Sequence, residues 1–221
     1  MKLLLTSNGI SNPSIAQALL ELMDTTPEAS TVVFVPTAST IETGDKKWVI
    51  DDLWNIKALW FGSIEITDIS AVDESIWRPS LEHADIIIFW WGNTYHLMQW
   101  MGRTGLSNTL RTLLEWKIYM GISAGSMITS PDLNLKLSEH IYDADRIETT
   151  PLVGLHLVDF YFLPHLNSDG FQKMRRENIE MSAKSIGKPL YALDDDSALQ
   201  IIDWEIKVVS EGEYCILNPL P

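Results

Sequence analysis

Cysteine is almost absent from this sequence: Cys215 is the single one among 221 residues. An intramolecular disulfide framework is therefore excluded. Cys215 lies in the apolar stretch EYCILNP, where a buried structural thiol is expected rather than a nucleophile. No two histidines have the spacing of metal ligands, and one cysteine cannot supply a thiolate cluster. We therefore expect no metal and no other cofactor.

Positive charge and long apolar runs are also scarce. Lysine and arginine total 16 against 30 aspartate and glutamate residues, which gives a formal net charge of −14. Such an acidic surface repels nucleic-acid phosphates and anionic lipid headgroups, so neither is an expected partner. No window of 18 apolar residues exists, and the apolar run in MKLLLTSNGI is too short for a signal peptide. We expect a cytoplasmic protein.

Apolar residues, at 46%, are abundant enough for a substantial core, and the nine tryptophans are expected mostly in that core or in a pocket wall. Short β-branched or aromatic runs that end in turn residues predict strands. They are KLLLTS, STVVFVPT, SIEITDI, ADIIIFWWG, KIYMGISAG, LVDFYFLPH, PLYALD and SALQIID.

Helical spacing of apolar residues separates several of these runs. Helices are predicted in SNPSIAQALLELMD, with Ser11 as N-cap, and in TGDKKWVIDDLWNIKALWFG, TYHLMQWMGRTG, SNTLRTLLEWK and DGFQKMRRENIEMSAKSIG. The alternation predicts an α/β fold with a mostly parallel sheet covered on both faces. The strands after Pro189 lack intervening long helices, so they predict a small antiparallel extension. One domain spanning 1–221 is the simplest interpretation.

Ligands of such sheets bind beyond the carboxyl ends of the strands. Three predicted strands end in residues with chemical capability: Gly92-Asn93-Thr94, Ser123 and His165. Ser123 lies within Gly121-Ile122-Ser123-Ala124-Gly125, a G-x-S-x-G match between a strand and a small-residue helix start. A tight turn there would expose the hydroxyl as a nucleophile, with the Ala124 N–H as an oxyanion donor. The alternative is a small residue where a strand packs tightly against a helix.

A serine nucleophile needs a base, and His165 at the end of LVDFYFLPH is the best placed histidine. Gly92 could present a second oxyanion donor, whereas Asn93 or Thr94 could simply cap the next helix. The carboxylate that would orient the histidine is less defined. Its candidates are Asp132, Glu139, Asp143, Asp145 and the run Asp194-Asp195-Asp196.

Several of these motifs, in this order, resemble the dipeptidase E and cyanophycinase family of serine peptidases. The resemblance runs through LLLTSNG, VVFVPTAS, IIIFWWGNT, YMGISAGSMI, FLPHLN and LDDDSALQI. It implies a flavodoxin-like three-layer α/β/α fold, akin to class I glutamine amidotransferases with serine in place of cysteine. It also implies Ser123 as nucleophile, His165 as base, and Gly92 and Ala124 as oxyanion donors.

For the substrate, the resemblance implies a short peptide, with an N-terminal aspartate in dipeptidase E itself. Asn93 and Thr94 then belong to the substrate-binding loop, and Arg175 falls where an arginine holds the aspartyl carboxylate. The alternative for Arg175 and Arg176 is that both are exposed helix residues paired with Glu177 or Glu180. A monomer or homodimer is expected.

Two departures from the family pattern bear on specificity and on the acid. Trp90-Trp91 stand where the family has glycines, so two indoles are expected to narrow or reshape the cleft. A gap-free alignment to dipeptidase E places Ser138 at the position of its aspartate, and Glu139 beside it is our predicted acid. The predicted function is thus a serine exopeptidase for short peptides. The alternatives are a cyanophycinase-like isopeptidase and a non-catalytic small-molecule binder on the same scaffold.

Overall fold

A computed structural model describes residues 1–133, 141 and 153–219. A seven-stranded sheet has the order β3-β2-β4-β5-β1-β8-β9. Its first five strands are parallel, and β8 and β9 add antiparallel at one edge. These strands are β1 (Lys2–Thr6), β2 (Thr31–Val35), β3 (Ser63–Ile66), β4 (Ile86–Phe89), β5 (Ile118–Ile122), β8 (Ser197–Ile202) and β9 (Glu205–Ser210).

Helices cover both faces of this sheet. They are α1 (Pro13–Leu22), α2 (Lys47–Lys57), α3 (Glu74–His83), α4 (Thr94–Arg103), α5 (Leu106–Leu113) and α6 (Ala124–Met127). A further helix, α7 (Arg176–Ala183), packs on a second sheet. Alternate strand residues belong to two separate cores, as the period of two requires. Leu3, Val33 and Ile87 pack with α3, α4 and α5, whereas Leu4 and Phe34 pack with α1 and α2. The result is a three-layer α/β/α arrangement.

A second sheet has three strands in the order β10-β7-β6, from β6 (Tyr161–Leu163), β7 (Leu190–Leu193) and β10 (Tyr214–Leu217). Strands β6 and β7 are parallel, so their carboxyl ends lie side by side. A third core of apolar residues, including Met174, Ile179 and Leu190, joins this sheet to α7. This sheet therefore brings the segments after Leu163 and after Leu193 together.

The predicted mostly parallel α/β/α fold with a small antiparallel part is confirmed. The differences are local. The cap of α1 is Asn12 rather than Ser11, because the Asn12 side chain accepts a hydrogen bond from the Ile15 N–H and Pro13 occupies the first turn. Helix α7 begins at Arg176, later than predicted. Helix α3 was not predicted, since Pro79 interrupts its pattern; Asp73 caps it by accepting from the Ser75 N–H.

The tryptophans divide between the interior and the surface. Trp77 and Trp90 are fully buried, and Trp48 and Trp91 line a cleft described below. Four others are exposed, which the expectation of a core or pocket role did not anticipate: Trp54, Trp60, Trp116 and Trp204. Among the described residues, no helix combines the length and the apolar character needed to cross a membrane.

Candidate active site

Three side chains form a hydrogen-bonded chain at the carboxyl ends of the strands. The Ser123 Oγ lies 2.9 Å from the Nε2 of His165, and the Nδ1 of His165 lies 2.6 Å from the Oδ1 of Asp195. A carboxylate only accepts, so Nδ1 carries the proton and Nε2 presents its lone pair to the serine hydroxyl. Ser123 and His165 are 6% and 5% exposed, while the Asp195 side chain is about one-third exposed. Such an arrangement can supply a nucleophile, a base and an orienting acid.

The turn at Ser123 has the geometry of a strained nucleophile elbow. Ser123 has φ 49° and ψ −104°, a conformation that costs free energy for a residue with a side chain. Hydrogen bonds hold it there: the Ser123 N–H donates to the Thr6 carbonyl at 2.9 Å, and the Ser126 hydroxyl donates to the same oxygen at 2.8 Å. Strand β1 thus fixes both the elbow and the start of α6.

The two motif glycines are explained by close packing. A Cβ on Gly121 would lie 2.6 Å from the Ser126 nitrogen, and one on Gly125 would lie 1.9 Å from the Phe89 carbonyl oxygen. No side chain fits at either distance. The G-x-S-x-G spacing therefore lets α6 lie directly against β5 and β4.

Replacing Gly125 by alanine is expected to destabilise the fold by about 1–3 kcal/mol or more, because β4 backbone must move to admit the methyl group. Chemical denaturation measures this change. Gly102→Ala in α4 is the matched control, since its Cβ would meet nothing within 4 Å and alanine favours a helix by roughly 0.5–1 kcal/mol. Equal stability of the two variants would contradict the packing argument.

His165 is fixed by the ends of three strands. Its own N–H donates to the Ser7 hydroxyl at 3.3 Å, and that hydroxyl donates to the Leu193 carbonyl at 2.9 Å. Its ring stacks on Phe171 with centroids 4.3 Å apart and planes 4° apart. Asp195 lies two residues after Leu193, in the loop that follows β7, so the pairing of β6 with β7 brings its carboxylate to the histidine.

The predicted oxyanion donors flank the same strand ends. Gly92 has φ +138°, and a Cβ there would lie 2.3 Å from the Ala38 carbonyl oxygen, so glycine is required by both conformation and space. Within the part of the chain that the structure describes, the N–H groups of Gly92 and Ala124 donate to no other acceptor. Each therefore keeps an N–H group that could donate to an oxyanion.

The other predicted site residues have different surroundings. The Asn93 side chain caps α4 by accepting from the His96 N–H at 2.9 Å, and the Thr94 hydroxyl lies 4.0 Å from the Met127 sulfur. Arg175 Nη1 donates to three backbone carbonyls, those of Ser168, Phe171 and Met174. Arg175 thereby braces the loop that carries Phe171, and it forms neither of the carboxylate pairs considered for it.

Of the acids that the sequence offered and the structure describes, Asp195 is the one that lies at His165. Asp132 instead accepts from the Tyr161 hydroxyl at 3.0–3.1 Å. Glu139, Ser138, Asp143 and Asp145 lie outside the described residues. Within its own run, Asp194 accepts from the Ser197 hydroxyl and the Glu213 N–H, and Asp196 is exposed.

This geometry coincides with a family relationship over nearly the whole chain. The model of peptidase family S51 matches residues 3–209. The chain belongs to peptidase family S51. The predicted resemblance to the dipeptidase E family is thereby confirmed, and the protein is a member of a peptidase family.

Individual relatives of this S51 chain agree. An uncharacterised peptidase of Listeria innocua is 30% identical over 183 residues, which are 81% of this chain and 84% of that protein. Peptidase E of Streptomyces coelicolor is 26% identical over 139 residues, 62% of this chain and 54% of that protein. A crystal structure of a candidate peptidase E from Listeria monocytogenes superposes with a TM-score of 0.79 and 26% identity, covering 96% of this chain and 98% of that one.

A second solved structure shows the same fold. It is a peptidase from an acI-B1 Actinobacterium, with a TM-score of 0.73, 19% identity and coverage of 100% of this chain and 91% of that chain. At this identity the likeness concerns the fold alone.

A cleft of about 190 Å³ adjoins the serine–histidine pair of this S51 chain. It is lined by Asn8, Trp48, Asp52, Trp91, Ile122, His165, Ser168, Phe171 and Asp195. The expectation that both indoles of Trp90-Trp91 shape the cleft holds directly only for Trp91. Trp90 is fully buried in the core that includes Phe34, and it acts on the cleft through Asp52.

A larger cavity, of about 410 Å³, lies at the amino ends of β1, β4 and β5. Among the described residues that line it there is no histidine. Parallel sheets bind their ligands at the opposite ends of the strands. The smaller cleft is therefore the candidate site.

Asp52 is the most unusual group in the cleft wall. It is 9% exposed, and its Oδ2 accepts from the Trp90 Nε1 at 2.6 Å. Burial raises the pKa of the Asp52 carboxyl from 3.8 to about 6, with the Trp90 hydrogen bond opposing the shift and the charge of Asp51 adding to it. The ionised carboxylate therefore costs folding free energy near neutral pH.

Replacing Asp52 by asparagine is expected to raise stability at about pH 7.5 by up to about 3 kcal/mol. The folded protein holds the Asp52 proton more tightly than the unfolded chain, so stability falls as pH rises from 3.8 to about 6. Asparagine keeps an acceptor for Trp90 and removes the charge. Denaturation at about pH 4.5 and about pH 7.5 should show the advantage of the variant growing with pH. A constant difference would refute the ionisation argument.

Proposed function

We propose that this protein is a serine peptidase that hydrolyses short peptides. Ser123 is the nucleophile, His165 the general base, and Asp195 the acid that orients the histidine. The observation that carries the proposal is the continuous hydrogen-bonded chain from the Ser123 Oγ through both nitrogens of His165 to Asp195, at 2.9 and 2.6 Å. Membership of peptidase family S51 supports it.

In the first half of the reaction, the Ser123 Oγ attacks the carbonyl carbon of the scissile peptide bond. His165 Nε2 takes the hydroxyl proton as the Oγ–C bond forms, and Asp195 stabilises the resulting imidazolium through Nδ1–H. The same proton then passes from Nε2 to the departing amine nitrogen, which leaves an acyl ester on Ser123.

In the second half, a water molecule gives one proton to Nε2 and attacks the ester carbonyl. Collapse of the second tetrahedral intermediate breaks the bond to Oγ, which recovers its proton from His165. In both halves the N–H groups of Gly92 and Ala124 hold the negatively charged carbonyl oxygen, a contribution on the order of 3 kcal/mol for each such donor in other enzymes.

The cleft favours the end of a short peptide over a long chain. Its volume of about 190 Å³ is below the roughly 300 Å³ at which ordinary ligand pockets begin. Preference for an N-terminal aspartate has weaker support. Two carboxylates, Asp52 and Asp195, line the cleft, and Arg175 directs one guanidinium nitrogen to backbone carbonyls. We therefore propose exopeptidase activity with a specificity other than aspartyl.

The test is amine release from a panel of dipeptides and tripeptides, half of them with N-terminal aspartate, together with one isopeptide-linked substrate. Turnover of peptides without an N-terminal aspartate supports the proposal. Selective turnover of peptides with an N-terminal aspartate would overturn the proposed non-aspartyl specificity. Turnover of the isopeptide alone would favour the cyanophycinase-like alternative. No turnover of any member would contradict peptide hydrolysis.

A further inference from the structure

One buried carboxylate in the cleft has no role in the proposed proton transfers. Asp52 extends from α2 into the wall of the cavity that His165 and Asp195 also line. Its Oδ2 is held by the Trp90 indole at 2.6 Å, so the side chain has a fixed orientation. The other oxygen, Oδ1, points to Gly9, where a Cβ would lie 2.5 Å from it. The Asp52 carboxylate therefore has a fixed position in the cleft wall and is not a mobile surface group.

The second oxygen of this carboxylate lacks a donor. Within the described residues, Oδ1 of Asp52 accepts no hydrogen bond, and it is not fully enclosed, so a group bound in the cleft can reach it. Burial also raises the pKa of this carboxyl to about 6, which shows that its charge is poorly compensated in the free protein. A carboxylate whose burial costs folding free energy, placed beside a candidate active site, is typical of a group that binds a ligand.

The charges that line the cleft indicate which charge a ligand of Asp52 should carry. Asp52 and Asp195 contribute carboxylates, and the described residues that line the cleft include neither lysine nor arginine. Two indoles, Trp48 and Trp91, stand in the same wall with ring centroids 4.1 Å apart. Indole faces attract cations within about 6 Å, most strongly where water is excluded. Carboxylate and indole together favour a positive group.

We propose that Asp52, Trp48 and Trp91 bind a primary ammonium group of the peptide substrate. The identity of the ligand as a peptide rests on the proposed function. An ammonium suits the site better than a guanidinium, because a guanidinium prefers both oxygens of a carboxylate and the Trp90 indole already occupies Oδ2. A compact ammonium needs only Oδ1 and an aromatic face.

A peptide can supply this group from two sources. The α-amino group has a pKa of about 7.7–8.0 and a lysine side chain one of about 10.4, so both are charged at neutral pH. An α-amino group bound here would place the peptide's first residue beside the serine–histidine pair. A lysine side chain bound here would instead make the cleft a side-chain specificity pocket.

The test is calorimetric titration at about pH 7 of the Ser123→Ala protein, which needs no turnover. Three probes separate the sources: leucinamide carries an α-ammonium, N-acetylleucinamide carries none, and N-acetyl-lysinamide carries it on the side chain. We expect at least one ammonium probe to bind about tenfold or more tightly than N-acetylleucinamide. Adding Asp52→Asn should reduce that preference to about threefold or less.

Asp51→Asn is the matched control, since it removes the same charge from the adjacent exposed position of α2 and should keep the preference. Tight binding of leucinamide assigns the site to the peptide N-terminus, and tight binding of N-acetyl-lysinamide assigns it to a side chain. Equal binding of all three probes, absence of binding, or an unchanged preference in Asp52→Asn would overturn the proposal. Because hydrolysis is not measured, these results are distinguishable from a failure of peptide turnover in the wild-type protein.

Discussion

Replacing Ser123 by alanine is expected to lower kcat for peptide hydrolysis by roughly 10⁵-fold or more. The change removes the oxygen that forms the acyl ester in the proposed mechanism, while the backbone contacts of the elbow remain. The Ser123 N–H still donates to Thr6, and Ser126 still anchors the start of α6. Circular dichroism and denaturation should therefore show an intact fold. The measurement is product release by wild type and variant on the same peptide.

Ser185→Ala is a suitable control, because Ser185 is exposed just beyond α7 and its hydroxyl bonds only to the local Ser182 carbonyl within the described residues. It should retain wild-type kcat. If Ser123→Ala also retained activity, the nucleophile assignment would be wrong. If neither the wild type nor Ser123→Ala turned over any peptide while ligands still stabilised both proteins, the non-catalytic binding alternative would gain support.

The fold could be predicted further than the site because local patterns specify it. Apolar runs such as TVVFV and IIIF have the composition and length of buried strands, and the helices between them require a parallel sheet. Helix α3 was not predicted, because Pro79 interrupts its helical sequence pattern. Strand β9 is mostly exposed, β10 alternates exposed with more buried residues, and no predicted run singled out either strand.

Within the site, the serine and the histidine could be selected because each follows a recognisable strand. The carboxylate that contacts His165 could not be selected, because Asp194, Asp195 and Asp196 have the same chemistry and adjacent places. What separates them is the pairing of β6 with β7 and the short turn to β8, which directs one side chain to His165 and another to Ser197. Asp52 was missed for a similar reason, since only the packing of Trp90 shows that this helical aspartate is buried.

Replacing Asp195 by asparagine is expected to lower kcat by roughly 10²- to 10⁴-fold. Asp195 Oδ1 accepts a hydrogen bond from the Nδ1–H of His165 at 2.6 Å and so leaves Nε2 as the acceptor for the Ser123 hydroxyl. An asparagine amide that donates to Nδ1 would move the ring proton to Nε2. A protonated Nε2 cannot take a proton from serine. The partial exposure of Asp195 favours the lower part of this range, because water can replace some of its hydrogen bonding.

The neighbouring aspartates make this prediction specific. Asp196→Asn changes an exposed side chain and should leave kcat near wild type, whereas Asp194→Asn weakens the hydrogen bonds to Ser197 and Glu213 and should lower stability. Asp195→Glu should recover part of the activity, because a carboxylate can still accept from Nδ1. Glu139→Gln compares the acid chosen from sequence directly with Asp195. Loss of activity in Glu139→Gln with full activity in Asp195→Asn would assign the acid to Glu139. The reverse result would show that the hydrogen bond between His165 and Asp195 is the one that catalysis requires.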